Sequence, residues 1–201
     1  MQTSFFDRSE IIRCSEGTLF GESTPKLPTP PLLAFDEVIE ISRHGGKFGR
    51  GYAIARKDLT SMTWVFDSHF PEDPVMPGTM LLEGLLQLAG FFGAYVGGRG
   101  KGRAARVDDV KFLAEVTPQD EEILYRIDVR KHSADHKFLV AEGAVIAREV
   151  ERTTVGSLLV LVVYDSSSAI RNFSNFLKCA RESPKLAAAP DEAILAGRDR
   201  S

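Results

Sequence analysis

The sequence predicts an α+β fold in which one long buried helix is enclosed by antiparallel strands. Three observations lead there. Gly78 to Val96 is apolar on nearly every side over nineteen residues, and Pro77 and Gly97-Gly98 punctuate its ends. From Ala104 to Tyr164 the chain is a succession of β-prone runs separated by short polar links. Strands, a core helix and then more strands form an α+β order, unlike the alternating order that builds a parallel sheet.

Taken in order, Phe5 to Cys14 reads as a short helix, and Gly17, Gly21 and Pro25 break its pattern. TPKLPTPP carries four prolines in eight residues, so it is an extended lead-in that cannot join a ladder internally. Leu32 to Arg43 reads as a strand, Gly45-Gly46 as a turn and Gly51 to Arg56 as the returning strand. Met62 to Phe70 is aromatic-rich and irregular. The helix from Gly78 would span about 28 Å at 1.5 Å per residue, with proline at its start and glycine past its end in the usual asymmetry. Four strands follow, Ala104 to Val116, Glu122 to His132, Phe138 to Glu149 and Thr153 to Tyr164. Their links TPQDE, SADHK and REVER read as hairpin connections. Ile170, Phe173, Phe176, Leu177 and Ala180 then fall at helical spacing. Residues 1–165 are therefore expected to form one domain, and 166–201 an extension with a helix over 168–182 and a mobile tail from 184.

Composition narrows the function. At 201 residues and 43% hydrophobic content the chain can bury a full core. A formal charge of -3 and a pI near 5.9 exclude a general binder of nucleic acid or membrane surfaces. Cys14 and Cys179 lie far apart with no metal-ligand spacing, so neither a disulfide framework nor a structural zinc site is expected. MQTSFFDRSE has no basic-then-apolar secretory pattern, and the expected location is the cytoplasm.

The apolar helix is nearly long enough to span a membrane. Glu83 near its start and Gln87 near its middle would be costly in lipid, so the expectation is a core helix. These two polar residues are i and i+4 and share one face. They are either a buried pair that fixes packing or a proton-donating acid held by an amide. An apolar setting favours the protonated form of a carboxyl.

His69 precedes the turn PVMPG. In an apolar stretch it is either a satisfied core histidine or a base, since a neutral imidazole accepts a proton near pH 7. Gly78 allows close approach to the backbone, and its N–H lies at the positive end of the helix, suited to an oxyanion. Base, acid and oxyanion donor within fifteen residues are what removal of a proton next to a thioester carbonyl calls for. His44, His132 and His136 lie among charged, turn-like residues and are expected at the surface. GGRGKGRAAR, with Arg99, Lys101, Arg103 and Arg106, lacks the context of a phosphate loop. It reads as a helix-to-strand loop, or as a docking patch for an acidic partner.

FGESTPKLPTPPLLAFDEV, WVFDSHFPEDPVMPG, LLQLAGFF, GRGKGRA and VKFLAEVTP follow one another in an order and spacing that resemble the 3-hydroxydecanoyl-acyl carrier protein dehydratase family, over roughly residues 15–165. The resemblance implies a hotdog fold, a central helix wrapped by a curved antiparallel sheet, in homodimers with shared active sites. It implies dehydration of 3-hydroxyacyl thioesters to trans-2-enoyl thioesters in fatty acid or related lipid biosynthesis, on acyl carrier protein, with no cofactor beyond the carrier's phosphopantetheine. It places the catalytic base on His69 and the catalytic acid, from the partner subunit, on Glu83. Gly78, Gln87, Val75 and Phe112 are then the substrate-binding residues. The family's decanoyl type usually has aspartate at the acid position, after Cys-Leu-Gly. Here Glu83 follows Thr79-Met80-Leu81-Leu82, as in a sister branch that isomerises little, so dehydration is expected and isomerisation is left open. Two other readings stand beside it, a non-catalytic or heterodimer-supporting acyl-binding subunit and an acyl thioesterase.

Overall fold

The structure, a computed structural model, describes residues 3–133 and 135–163. Within them the chain order is β1 (Ser4–Phe6), α1 (Arg8–Glu16), β2 (Glu37–Ser42), β3 (Tyr52–Asp58), α2 (Thr63–Phe66), α3 (Gly78–Tyr95), β4 (Lys101–Phe112), β5 (Glu122–His132), β6 (Phe138–Ala147) and β7 (Val150–Val163). The helix and tail expected beyond residue 165 lie outside the described residues.

The strands form one antiparallel sheet in the order β1-β2-β3-β5-β6-β7-β4. Alternation explains how it wraps the helix. Ile123, Tyr125, Ile127 and Val129 of β5 are buried, as are Leu139, Ala141, Val145 and Ala147 of β6, while their neighbours point outward. This inner face meets α3, which packs against β3, β4, β5, β6 and β7. Leu85, Leu88, Phe91 and Phe92 of α3 are fully buried, each contributing about 1.5–3 kcal/mol by leaving water. α3 is the expected core helix. Among the described residues no helix is long and apolar enough to cross a membrane.

Several boundaries differ from the sequence reading, each for a physical reason. The first helix starts at Arg8 because Asp7 and Glu10 form a reciprocal capping box. Ser4 and Phe6 instead pair with Ile41 and Val38 of β2, and Phe6 meets Phe91 edge-on at 5.2 Å. Strand pairing along 32–43 begins only at Glu37. Leu32–Asp36 instead continues the lead-in without strand pairing and lies against α3 at Gln87. Asp36 pins its end by accepting from buried Lys57 (3.0 Å), from Arg8 (2.6 Å) and from the Asp58 N–H (2.9 Å).

The link TPQDE is not a hairpin. β4 pairs with β7, while β5 pairs with β3 and β6, so residues 113–121 cross from one side of the sheet to the other. A 3-10 turn at Pro118–Asp120 shapes the crossing, and Asp120 is held by Thr117 and Arg152. The other two links are hairpins. The β6–β7 turn has Arg148 and Glu149 at φ 49° and 64°, the doubly left-handed turn that matches strand twist. The basic run is less of a loop than expected, since β4 already begins at Lys101. His44 is exposed as expected, but His132 and His136 are only half-exposed and stack on each other at 5.8 Å.

Candidate active site

Residues 69–75 form a closed loop after α2. The His69 N–H donates to Val65 O (2.9 Å), and the Val75 N–H donates to His69 O (2.9 Å). Phe70 and Asp73 exchange both backbone hydrogen bonds, at 3.1 and 3.0 Å. The imidazole sits 2.9 Å from Val75 O through Nδ1 and stacks on Phe70 at 4.2 Å. A carbonyl can only accept, so Nδ1 carries the proton and Nε2 presents its lone pair. The loop therefore fixes both the orientation and the tautomer of the imidazole.

Two residues on, Pro77 caps α3 without any side-chain hydrogen bond. The Met80 N–H donates back to Pro77 O (2.9 Å), while those of Gly78 and Thr79 have no partner within the helix and carry the positive end of its dipole. A Cβ on Gly78 would lie 2.6 Å from the Phe112 ring, so this position must be glycine while Phe112 lies across it. Phe112 itself is more than half exposed, an aromatic flap over the helix terminus.

His69, Val75, Gly78 and Phe112 line one open cleft of about 730 Å³. Four of the expected site residues thus come together. The crossing segment Leu113–Val116 forms another wall, held to the turn by the Met76 N–H donating to Val116 O (2.7 Å). Fully buried Thr153 also lines it, with no partner for its hydroxyl among the described residues. The sequence reading missed these wall residues because it ended β4 at Val116. The apolar-then-turn composition of FLAEVTP was the available signal.

Glu83 and Gln87 do not line this cleft. They pair with each other, the Gln87 Nε2 donating to Glu83 Oε1 at 2.9 Å. The buried amide of Gln87 also donates to Leu32 O (2.9 Å) and accepts from the Ala34 N–H (2.9 Å). Tyr125 lies against the adjacent Gly84, where a Cβ would stand 2.2 Å from its ring. Burial above all pushes the Tyr125 phenol well above its ordinary range, so it stays protonated. The expected interaction of Glu83 with Gln87 is present, and its ties to the lead-in are new.

A cleft with an oriented imidazole beside an open helix N-terminus, and an acid held on the same helix, can be compared with known proteins. The model of the FabA-like domain matches residues 27–154. The chain belongs to the FabA-like domain family. The FabA-like match takes in His69, Gly78, Glu83, Gln87 and Phe112 and ends within β7. Among solved structures, the chain is similar to the dehydratase heterocomplex ApeI:P from Xenorhabdus doucetiae, at 13% identity and a TM-score of 0.56, covering 72% of this chain and 92% of that one. It is also similar to Cj0977, a sigma28-regulated virulence protein from Campylobacter jejuni, at 13% identity and a TM-score of 0.49 over 69% and 90% of the two chains. A hypothetical thioesterase with coenzyme A from Streptococcus pneumoniae matches at 10% identity and a TM-score of 0.44 over 57% and 80%. The first of these likenesses establishes the hotdog fold for this FabA-like chain.

Proposed function

We propose that this FabA-like protein is a 3-hydroxyacyl thioester dehydratase, working in the cytoplasm on substrates carried by acyl carrier protein. The observation that carries the reading is the single cleft shared by His69, its Nδ1 engaged by Val75 O, and the open N-terminus of α3 at Gly78. His69 Nε2 takes the C2 proton of the substrate. The electron pair of the C2–H bond moves first onto the thioester oxygen, which the Gly78 N–H stabilises. It then returns to form the C2–C3 double bond as the C3–O bond breaks. Glu83 protonates the departing hydroxyl, which leaves as water. The balance closes without a metal or redox group.

Glu83 lies outside the cleft of its own chain, and the reading takes it from a second copy. The sheet supports such a homodimer, since β4 ends the strand order and its outer edge has no partner strand among the described residues. β4 spans about 36 Å at 3.3 Å per residue, from exposed Lys101 and Arg103 to Phe112 at the cleft. Antiparallel pairing of two β4 edges brings one copy's basic end beside the other's cleft. In that arrangement Arg99, Lys101 and Arg103 would offer an acidic carrier protein a complementary surface beside the cleft.

The test is purified protein with a 3-hydroxyacyl pantetheine thioester, following enoyl absorbance, free thiol and trans-2 against cis-3 product. Enoyl formation without thiol release is expected. No enoyl product where a known dehydratase succeeds would overturn the proposal. Thiol release alone would make the protein a thioesterase.

A further inference from the structure

We infer that the Pro-rich lead-in is a positioning element of the active site, acting on Glu83 through Gln87. This inference rests on the dehydratase reading and goes beyond it by assigning a role to Leu32–Ala34. The Gln87 side chain is an amide with two N–H donors and a carbonyl acceptor. Its Nε2 donates to Leu32 O and to Glu83 Oε1, and its Oε1 accepts from the Ala34 N–H, all at 2.9 Å. The side chain pairs with the lead-in as one peptide group pairs with another across a sheet. That pairing decides which way round the amide sits, because flipping it would set two donors against each other at Ala34 and two acceptors at Leu32. Only in the observed sense does an N–H remain for Glu83.

The lead-in is itself held firmly enough to impose this. Leu33 and Phe35 are buried in the core, and Phe35 meets Phe91 of α3 edge-on at 6.2 Å. One residue further, Asp36 is fixed by buried Lys57, Arg8 and the Asp58 N–H. The chain thus runs from an ion pair on β3, through two backbone groups, to the amide and then to the Glu83 carboxyl group. A misplacement of about 1 Å at a reacting group can cost about 100-fold in rate, so the lead-in is coupled to turnover without touching substrate.

The test is Ala34→Pro, which removes the N–H in a segment already extended, with Ala34→Gly as the variant that keeps it. Both are compared with wild type for kcat, KM, thermal midpoint and hydrogen exchange of the Gln87 side-chain amide. In Ala34→Pro, kcat is expected to fall about 10- to 100-fold with KM changed less than about twofold, and amide exchange to accelerate. Ala34→Gly is expected to recover most of kcat. If Ala34→Pro does not fold, Asp36→Asn takes its place, weakening the anchor on Lys57 while keeping the side-chain shape. A folded variant with wild-type kcat and wild-type Gln87 exchange overturns the inference, as does an equal loss in Ala34→Gly. If wild type fails to dehydrate, the functional reading falls. The exchange measurement then judges the clamp alone.

Discussion

At the scale of single residues, the proposed chemistry depends on an imidazole whose proton position is dictated by a backbone carbonyl. Val75 O accepts from His69 Nδ1 at 2.9 Å, leaving Nε2 free to act as the proposed base. General acid–base groups contribute about 100- to 10,000-fold each. His69→Ala and Glu83→Gln are therefore each expected to lower kcat by at least about 100-fold in a dehydration assay, with little change in thermal midpoint, because both residues are half-exposed. Full activity in either variant would remove that residue from the mechanism. Both residues could be singled out in the sequence, since His69 and Glu83 flank a Pro-Gly turn. The partners of Gln87 could not be. Leu32 and Ala34 act through backbone groups, which every residue but proline carries in full, so no side-chain pattern marks them.

At the scale of elements, α3 is close to its sheet because small residues let it be. At Gly84 two effects of opposite sign compete when alanine is introduced. Helix propensity gains about 1 kcal/mol, while the new methyl stands 2.2 Å from the buried Tyr125 ring, and overpacking costs about 1–3 kcal/mol. The clash is with a ring locked in the core, so it wins. Gly84→Ala should lower the unfolding free energy by up to about 2 kcal/mol in urea titration, and a smaller residue at 125 should recover part of it. The β6–β7 turn has the reverse character. Glu149 sits at φ 64° without the freedom of glycine. Relief of about 1–2 kcal/mol, less glycine's entropic cost of about 0.5–1 kcal/mol, means that Glu149→Gly should stabilise the chain by up to about 1.5 kcal/mol, read from the same titration. Helix α3 was legible because Pro77 and Gly97 bound an unbroken apolar run, and β5 because its alternation is strict. β1 was not, since a three-residue strand leaves no period to read and its two phenylalanines suit a helix equally well. The crossing of 113–121 was hidden for another reason. Short polar links favour neighbouring strands, and nothing local says that the partner of β4 is β7.

At the scale of the whole molecule, two ionisable groups set opposite limits on stability. Burial disfavours the Asp128 carboxylate, but hydrogen bonds from Arg126 and the Lys47 N–H outweigh it and hold its pKa below the usual range. At neutral pH the folded and unfolded chains both carry this charge, and the stabilisation is complete. As pH falls below about 3.9 the unfolded chain takes up the proton first, and the advantage is lost as pH drops through the folded-state value. Tyr125 works at the other end. Below about pH 10 neither state has given up the phenol proton. Above it the unfolded chain ionises first, so stability falls as pH rises. Urea midpoints measured against pH should show both limbs, the acid one flattened in Asp128→Asn and the alkaline one in Tyr125→Phe. Unchanged limbs in these variants would assign them to other groups.

The pairing of β4 with β7 also orders events in time. β4 leaves α3 early in the chain, but its partner strand ends at Val163, and contacts so distant in sequence are slow to form. During synthesis, β1, β2, β3 and α3 emerge before any strand that can receive β4. Phe112 and the wall that follows it therefore wait for β7, and the cleft is among the last parts of the molecule to close. A nascent chain halted before residue 150 would have β3, β5 and β6 against α3 but would leave bare the flank that β7 covers, with β4 unpaired, the state in which such a chain most needs a chaperone.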